Sequence, residues 1–223
     1  MKLRLRDEDG MTSIVEAVMV MAILSVALTV FLTSFNSFQL EATGADNRLQ
    51  NLDEGRILMQ VSSKDIRTAT PLTAGTSPFL LAKDMEVKFY GMVDPTVIIG
   101  STYGPNLVRF YVNSTNPAAP VLIEEVTAPD SNSVPPAWTY TTNTAKVRLV
   151  GKYVVNTGAV PIFTYYDVNG TLLGPTPLNA AQMLAVRAVG ITVVVRRTAS
   201  QYLPSTTLTT RVTLPNVYFQ PQA

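Results

Sequence analysis

One stretch constrains this chain more than any other. From Ala17 to Leu40 no residue carries a charge, and Met11 to Phe38 (MTSIVEAVMVMAILSVALTVFLTSFNSF) holds neither proline nor glycine. A bilayer core of about 30 Å needs about 20 helical residues, so this run predicts a helix that spans a membrane and continues slightly beyond it. Lys2, Arg4 and Arg6 precede it. Cations on that flank place the N-terminus in the cytoplasm and send the C-terminal bulk outward. Glu16 is the exception inside the segment. A carboxylate in lipid costs on the order of 3 kcal/mol or more, and such a group usually marks a function with a partner charge nearby. Plainer readings stand beside this one. A secretory signal has an apolar core of about 7–15 residues ending at a small-residue cleavage site; this run is longer and is followed by Thr33, Ser34 and Ser37 without a clear A-x-A motif. A plain single-pass anchor explains the length but not Glu16. Glu16 could also snorkel to the headgroups, since it lies roughly 8 Å from Met11 along a helix axis.

The segment resembles the type IV pilin and pseudopilin superfamily. The resemblance rests on a short leader ending in Gly10, then Met11-Thr12, a hydrophobic run with one early glutamate, and the AVMVMAIL stretch from Ala17 to Leu24. It implies that a prepilin peptidase cuts between Gly10 and Met11 and methylates the new amine of Met11. It also implies that Glu16 pairs with the N-terminal amine of a neighbouring subunit. An α-amino group is largely protonated near neutral pH, and opposite charges about 4 Å apart attract by roughly 4 kcal/mol at an effective dielectric near 20. Cut after Gly10, Glu16 is the sixth mature residue, whereas the family usually has it fifth; the shift moves the carboxylate about 1.5 Å and 100° around the axis. Ala22, Ser25, Thr29 and Thr33 form a small-residue stripe suited to close helix approach in lipid.

Past the apolar run the text turns polar but keeps a helical rhythm. Ala45, Leu49, Leu52, Met59 and Ile66 predict one apolar stripe, with Arg48, Asp53, Glu54, Arg56, Lys64, Asp65 and Arg67 away from it. Gly44 and Gly55 weaken a helix by about 1 kcal/mol each against alanine. Thr70-Pro71 is a stop, because the residue before proline disfavours helix. From Pro71 the pattern switches to strands: Met85–Met92, Leu107–Asn113, Val121–Thr127, Lys146–Val155 as two short strands or one with a bend at Gly151, Pro161–Leu173 around an Asn169-Gly170 hairpin turn, Ala188–Arg197 and Thr206–Leu214. Asn179–Val186 reads as a short helical turn. The expected class is α+β and pilin-like: a long N-terminal helix, its first half transmembrane, packed on an antiparallel sheet. The expected divisions are a leader over 1–10, a membrane or filament-core helix over 11–40, its soluble half over 41–70 and an extracytoplasmic β-rich domain over 71–223. The segments RILMQVSSKDIRTATPL, FTYYDVNG, ITVVVRR and TLTTRVTLPN look like the J-type or W-type minor pseudopilins.

Composition narrows the chemistry. The chain has 223 residues, no cysteine, no histidine and a net charge of +1. Without Cys and His, a Ser/His/Asp or Cys/His constellation, a disulfide framework and a zinc-thiolate site are all impossible. The charge gives no general attraction to nucleic acid. Ser62, Ser63 and Lys64 read as a solvated helix face. Glu124-Glu125 is an adjacent acidic pair whose members point to opposite faces of a strand. Asp84 and Glu86 share a strand face but lack further oxygen ligands for calcium. Arg196-Arg197 reads as a strand-end surface pair, and Asn113-Ser114-Thr115 and Asn169-Gly170-Thr171 match the N-x-S/T acceptor pattern. No metal, cofactor or catalytic residue is expected. The expected function is a non-catalytic minor pilin or pseudopilin. Its partners are sister pilin subunits, the prepilin peptidase, the assembly machinery and the membrane. The alternatives are an unprocessed single-pass protein with a ligand-binding β-ectodomain and, from another class, an anchored enzyme using carboxylates.

Overall fold

A computed structural model gives the fold and describes residues 8–93, 98–99, 102–133, 137–197 and 205–218, with side chains from Ile14 onward except at 98–103 and 218. The class is α+β. Helix α1 (Glu8–Arg67) is 60 residues long and proline-free. Two compact units divide the chain, Met1–Asp46 and Asn47–Ala223. In the first, every residue from Ile14 to Thr43 is exposed.

The second unit holds the remainder of α1 and the strands. Lys64 and Arg67 place positive charge in the last turn of α1, where the helix dipole favours it. The helix ends three residues before the expected stop. The Thr68 amide and hydroxyl both donate to the Asp65 carbonyl, at 3.0 and 2.7 Å. Ala69 then bridges to Gly91, so sheet pairing takes over the backbone before Pro71 can act.

The strands follow in order: β1 (Phe79–Ala82), β2 (Glu86–Gly91), β3 (Ile98–Ile99), β4 (Thr102–Tyr103), β5 (Asn106–Asn113), β6 (Val121–Thr127), β7 (Lys146–Lys152), β8 (Phe163–Tyr166) and β9 (Leu172–Leu173). Helix α2 (Ala180–Ala185), β10 (Ala188–Val195), β11 (Thr206–Thr213) and α3 (Pro215–Tyr218) complete the unit. One sheet was expected; among the described residues two larger antiparallel sheets form, in the orders β1-β2-β5-β6-β7 and β11-β10-β8-β9, with β3 and β4 as a separate pair. The division happens after β7. Tyr153 adopts φ +61°, a left-handed conformation that turns the chain out of the first sheet. Val154 then bridges to Val195, and Asn156 caps β10 by accepting from the Val194 amide at 2.9 Å and donating to the Thr192 carbonyl at 2.8 Å. Beside Gly151, where a bend was anticipated, the pairing with β6 jumps from Leu149 to Gly151, and the chain leaves the sheet two residues later.

Alternation on β2, β5, β6 and β8 sorts their faces as a half-buried sheet requires, whereas β10 begins with four buried residues in a row. Val87, Phe89, Val108, Phe110 and Leu122 point inward from the first sheet. Phe163, Tyr165, Val189, Ile191, Val193 and Val195 come from the second, and Leu58 and Ile66 from α1, all in one cluster. The Asn169-Gly170 turn forms as expected, with Gly170 at φ +80° and the Asp167 carboxylate accepting from the Asn169 and Thr171 amides.

Candidate functional site

Two regions carry features beyond packing: the apolar half of α1, and the joint between its later turns and the first sheet. Within the apolar half, Ile14–Leu40 rises about 40 Å at about 1.5 Å per residue, more than a hydrocarbon core of about 30 Å. This is the one candidate membrane-spanning helix among the described residues, near the N-terminus and with none of its apolar window buried. Its hydroxyl groups are satisfied along the helix itself. Ser25 donates to the Ala22 carbonyl at 2.8 Å, Thr29 to Ser25 at 2.8 Å, Thr33 to Thr29 at 2.8 Å and Ser37 to Thr33 at 3.1 Å. A hydroxyl bonded back to its own helix needs no water, which removes most of its cost in lipid. The expected stripe of Ala22, Ser25, Thr29 and Thr33 is thus one continuous ladder of small side chains and internal hydrogen bonds.

Glu16 has an exposed side chain. Nine residues at about 100° each put it about 180° around the axis from Ser25. By the same geometry Ala22, Thr29 and Thr33 lie about 120°, 140° and 100° from it, so the small-residue stripe lies on a different face from the carboxylate and only Ser25 is directly opposite. Phe31 and Phe35 stack on a third face, with ring centroids 6.2 Å apart. Gly10 and Met11, the expected cleavage junction, lie in the first turns of α1, and the Met11 side chain falls outside the described residues.

The joint is built differently from the sequence expectation. Leu49 is 62% exposed, and the buried line on α1 runs through Asn51, Gly55, Leu58, Ser62, Asp65 and Ile66. That line keeps the three- and four-residue spacing of one helix face; it shares Ile66 with the expected apolar stripe, and Met59 of that stripe packs against the core, but Leu49 lies off it. Several of its members, and one neighbour, are polar because the sheets supply partners. The Asn51 side chain accepts from the Arg197 amide at 3.1 Å, and Glu54 accepts from the Lys152 amide at 2.6 Å. Ser62 was expected on a solvated face; it is fully buried, and its Oγ has no partner among the described residues. At Gly55 a Cβ would lie 2.5 Å from Leu208 Cδ1, so the glycine read as a helix weakener is also where β11 comes closest.

At the centre of the joint, Asp65 of α1 and Glu124 of β6 are 2% and 1% exposed. Arg148, opposite Glu124 on β7, binds both carboxylates. Its Nε donates to Glu124 Oε2 at 2.5 Å and its Nη2 to Asp65 Oδ2 at 3.3 Å. Burial raises the Asp65 carboxyl to about 7; the hydrogen bond to Glu124 and its charge add to this, while Arg148 and Lys64 pull the other way. Glu124 Oε1 has no amide or hydroxyl donor among the described residues. A cavity of about 300 Å³ lies beside the trio, lined by Val61, Lys64, Val93, Val126 and Lys146. Sequence reading separated the faces of Glu124 and Glu125 correctly. It missed the trio, although a glutamate within the Leu122-Glu124-Val126 alternation was the available signal.

On the outer face of the same sheet Glu125 joins a second network. Arg109 donates to Glu86 at 2.7 Å and to Glu125 at 3.1 Å, and the Tyr111 hydroxyl donates to Glu125 at 2.9 Å. A groove of about 460 Å³ runs past Lys83, Glu86, Arg109 and Tyr111. Asp84 and Glu86 diverge: Asp84 accepts from the Thr176 hydroxyl at 2.6 Å, while Glu86 takes Lys83 and Arg109. A scan of the chain against protein families matches none, and a search of curated proteins likewise gives no match.

Proposed function

We propose that this protein is a non-catalytic minor pilin or pseudopilin, a subunit of a type IV pilus or a type II secretion-like filament. The reading gives it an N-terminus in the cytoplasm, cleavage by a prepilin peptidase between Gly10 and Met11, N-methylation of Met11, and assembly through helix packing. What carries it is α1. Over Ile14–Leu40 it is exposed, the Ser25, Thr29, Thr33 and Ser37 hydroxyls bond internally and the one ionisable residue is Glu16; its later turns are fixed to antiparallel strands by polar and apolar contacts.

Such a helix has two uses for one surface. In a bilayer the apolar side chains face lipid. In a filament they face the same segments of sister subunits, where small side chains permit close approach. Glu16 and the Ser25–Thr33 ladder lie on different faces, about 100–180° apart, which fits a helix with neighbours on two sides. One neighbour offers its amine to the carboxylate, and another packs on the ladder. The buried carboxyls are committed to the helix–sheet joint, which supports a structural role for the β-rich domain.

N-terminal mass spectrometry tests the reading in a host that supplies a prepilin peptidase. A mature chain beginning with N-methylated Met11 is the expected result. An intact leader favours the second reading, an unprocessed single-pass protein. The specific feature behind that alternative is the polar groove past Lys83, Glu86, Arg109 and Tyr111, which would then be its ligand site.

A further inference from the structure

Two acceptor patterns for N-linked glycosylation occur in the chain, and the structure treats them differently. At Asn113-Ser114-Thr115 the asparagine ends β5, opposite Val121 of β6, and the residues that follow form the tip of the β5–β6 hairpin. Ser114, Thr115, Asn116, Pro117 and Ala118 are all exposed. Asn113 Oδ1 accepts from the Thr115 amide at 2.9 Å and from the Thr115 hydroxyl at 2.6 Å. The hydroxyl that the pattern requires is therefore bonded to the asparagine that would be modified. Among the described residues nothing accepts from Asn113 Nδ2, which leaves that nitrogen for another molecule. Asn169, Gly170 and Thr171 are exposed as well, but there no hydrogen bond joins the threonine hydroxyl to the asparagine among the described residues. Asp167 takes the Asn169 and Thr171 amides at 2.9 and 2.7 Å, Gly170 sits at φ +80°, and a Cβ there would lie 3.4 Å from the Arg211 guanidinium. That segment is a tight turn committed to its own hairpin.

We infer that Asn113 is an N-glycosylation acceptor and that Asn169 is not. The inference rests on the proposal that the β-rich domain lies outside the membrane, where a lipid-linked saccharide donor is presented. In the transfer, Asn113 Nδ2 forms a bond to the anomeric carbon of the donor sugar. The bond from that carbon to the lipid phosphate oxygen breaks, and the phosphate leaves with the electron pair. The proton from Nδ2 passes to a base of the transferase, and nothing is oxidised or reduced. Hydrogen bonds from Thr115 to Oδ1 stabilise the charge that gathers on that oxygen as Nδ2 loses its proton. Asn113 is itself half-buried at the end of β5, and the exposed residues Ser114 to Ala118 that follow it place the pattern at the surface.

The test uses full-length protein from membranes of its own host. Tandem mass spectrometry should find a saccharide mass on the peptide containing Asn113 and an unmodified peptide containing Asn169. Asn113→Gln and Thr115→Val should each abolish the added mass, and Thr115→Ser should keep it. Because the chain has no cysteine, Ala118→Cys places a single thiol in the same loop, and a membrane-impermeant maleimide applied to intact cells reports which side the loop occupies. A bare Asn113 in protein whose loop is labelled from outside overturns the glycosylation inference and leaves the topology standing. A saccharide on Asn169 with Asn113 bare overturns it as well. A loop that no outside reagent reaches, together with a bare Asn113, overturns both.

Discussion

Leu58 of α1 lies so close to Gly151 of β7 that a Cβ on the glycine would come within 2.7 Å of both Cγ and Cδ2 of the leucine. Leu58 is fully buried, and its Cγ cannot swing aside as a chain tip would. Gly151→Ala should therefore cost about 1–3 kcal/mol, the range for overpacking a dense core. Denaturant unfolding of the detergent-solubilised protein measures this. A midpoint unchanged from the parent would mean that the helix and β7 are not in this register. Gly55→Ala is the informative comparison, since it meets only the flexible end of Leu208 and also gains helix propensity of about 1 kcal/mol.

Arg148→Met removes the guanidinium from two buried carboxyls. The expected loss is about 1–3 kcal/mol, the cost of leaving buried acceptors without their donor. Glu124→Gln should be milder, because the new amide donates to Asp65 and removes one negative charge. Unfolding of the two variants under one set of conditions checks the order. Equal losses would show that Glu124 does not face Asp65.

The same trio predicts a pH dependence with a definite sign. The folded chain holds a proton at Asp65 up to about pH 7, whereas the unfolded chain releases it near the ordinary value of 3.8. Stability from this group therefore falls as pH rises from about 4 to about 7, and stays level above. At lower pH two other carboxylates act in the opposite sense. Burial works against the Glu86 carboxylate, but hydrogen bonds from Arg109 and Lys83 hold it below its ordinary value. Asp130 is held well below the carboxylate range, because donors from Thr141 and Thr142 outweigh its burial. Their contributions are lost as the solution becomes more acidic than the ordinary carboxylate range. Unfolding free energy measured against pH should peak between the two limbs, and Asp65→Asn should flatten the upper limb alone.

Glu16→Gln and Glu16→Ala should insert into membranes like the parent chain and fail to enter a filament with sister subunits. Carbonate extraction reads the first property, and cross-linking to neighbours reads the second. Incorporation of both variants at parental levels would remove Glu16 from the assembly role.

Thr29→Leu enlarges the middle rung of the hydroxyl ladder without adding charge. Insertion should persist, and cross-linking to sister helices should fall if the ladder is a contact face. An unaltered cross-linking pattern would assign the ladder to lipid.

Much of this architecture could be read along the chain because its signals are local. An uncharged run needs no distant partner to become a helix long enough to span a bilayer. Alternation in MEVKFYGM, LVRFYVN and VLIEEVT, and an Asn-Gly turn, fix strands and a hairpin within a few residues. The α+β class and most strand positions follow from those patterns. What the sequence left open depends on residues far apart meeting in one register. Hydrophobic periodicity put Leu49 on the buried face of α1, but Asn51, Ser62 and Asp65 occupy it, because β6, β7 and the backbone beyond β10 surround that line. The division into two sheets turns on one left-handed residue, Tyr153, that no composition rule marks. Asp65, Glu124 and Arg148 acquire a shared environment only once a helix and two strands enclose them. Local sequence sets which element each segment becomes; burial, and with it the protonation of a carboxyl, exists only in the packed whole.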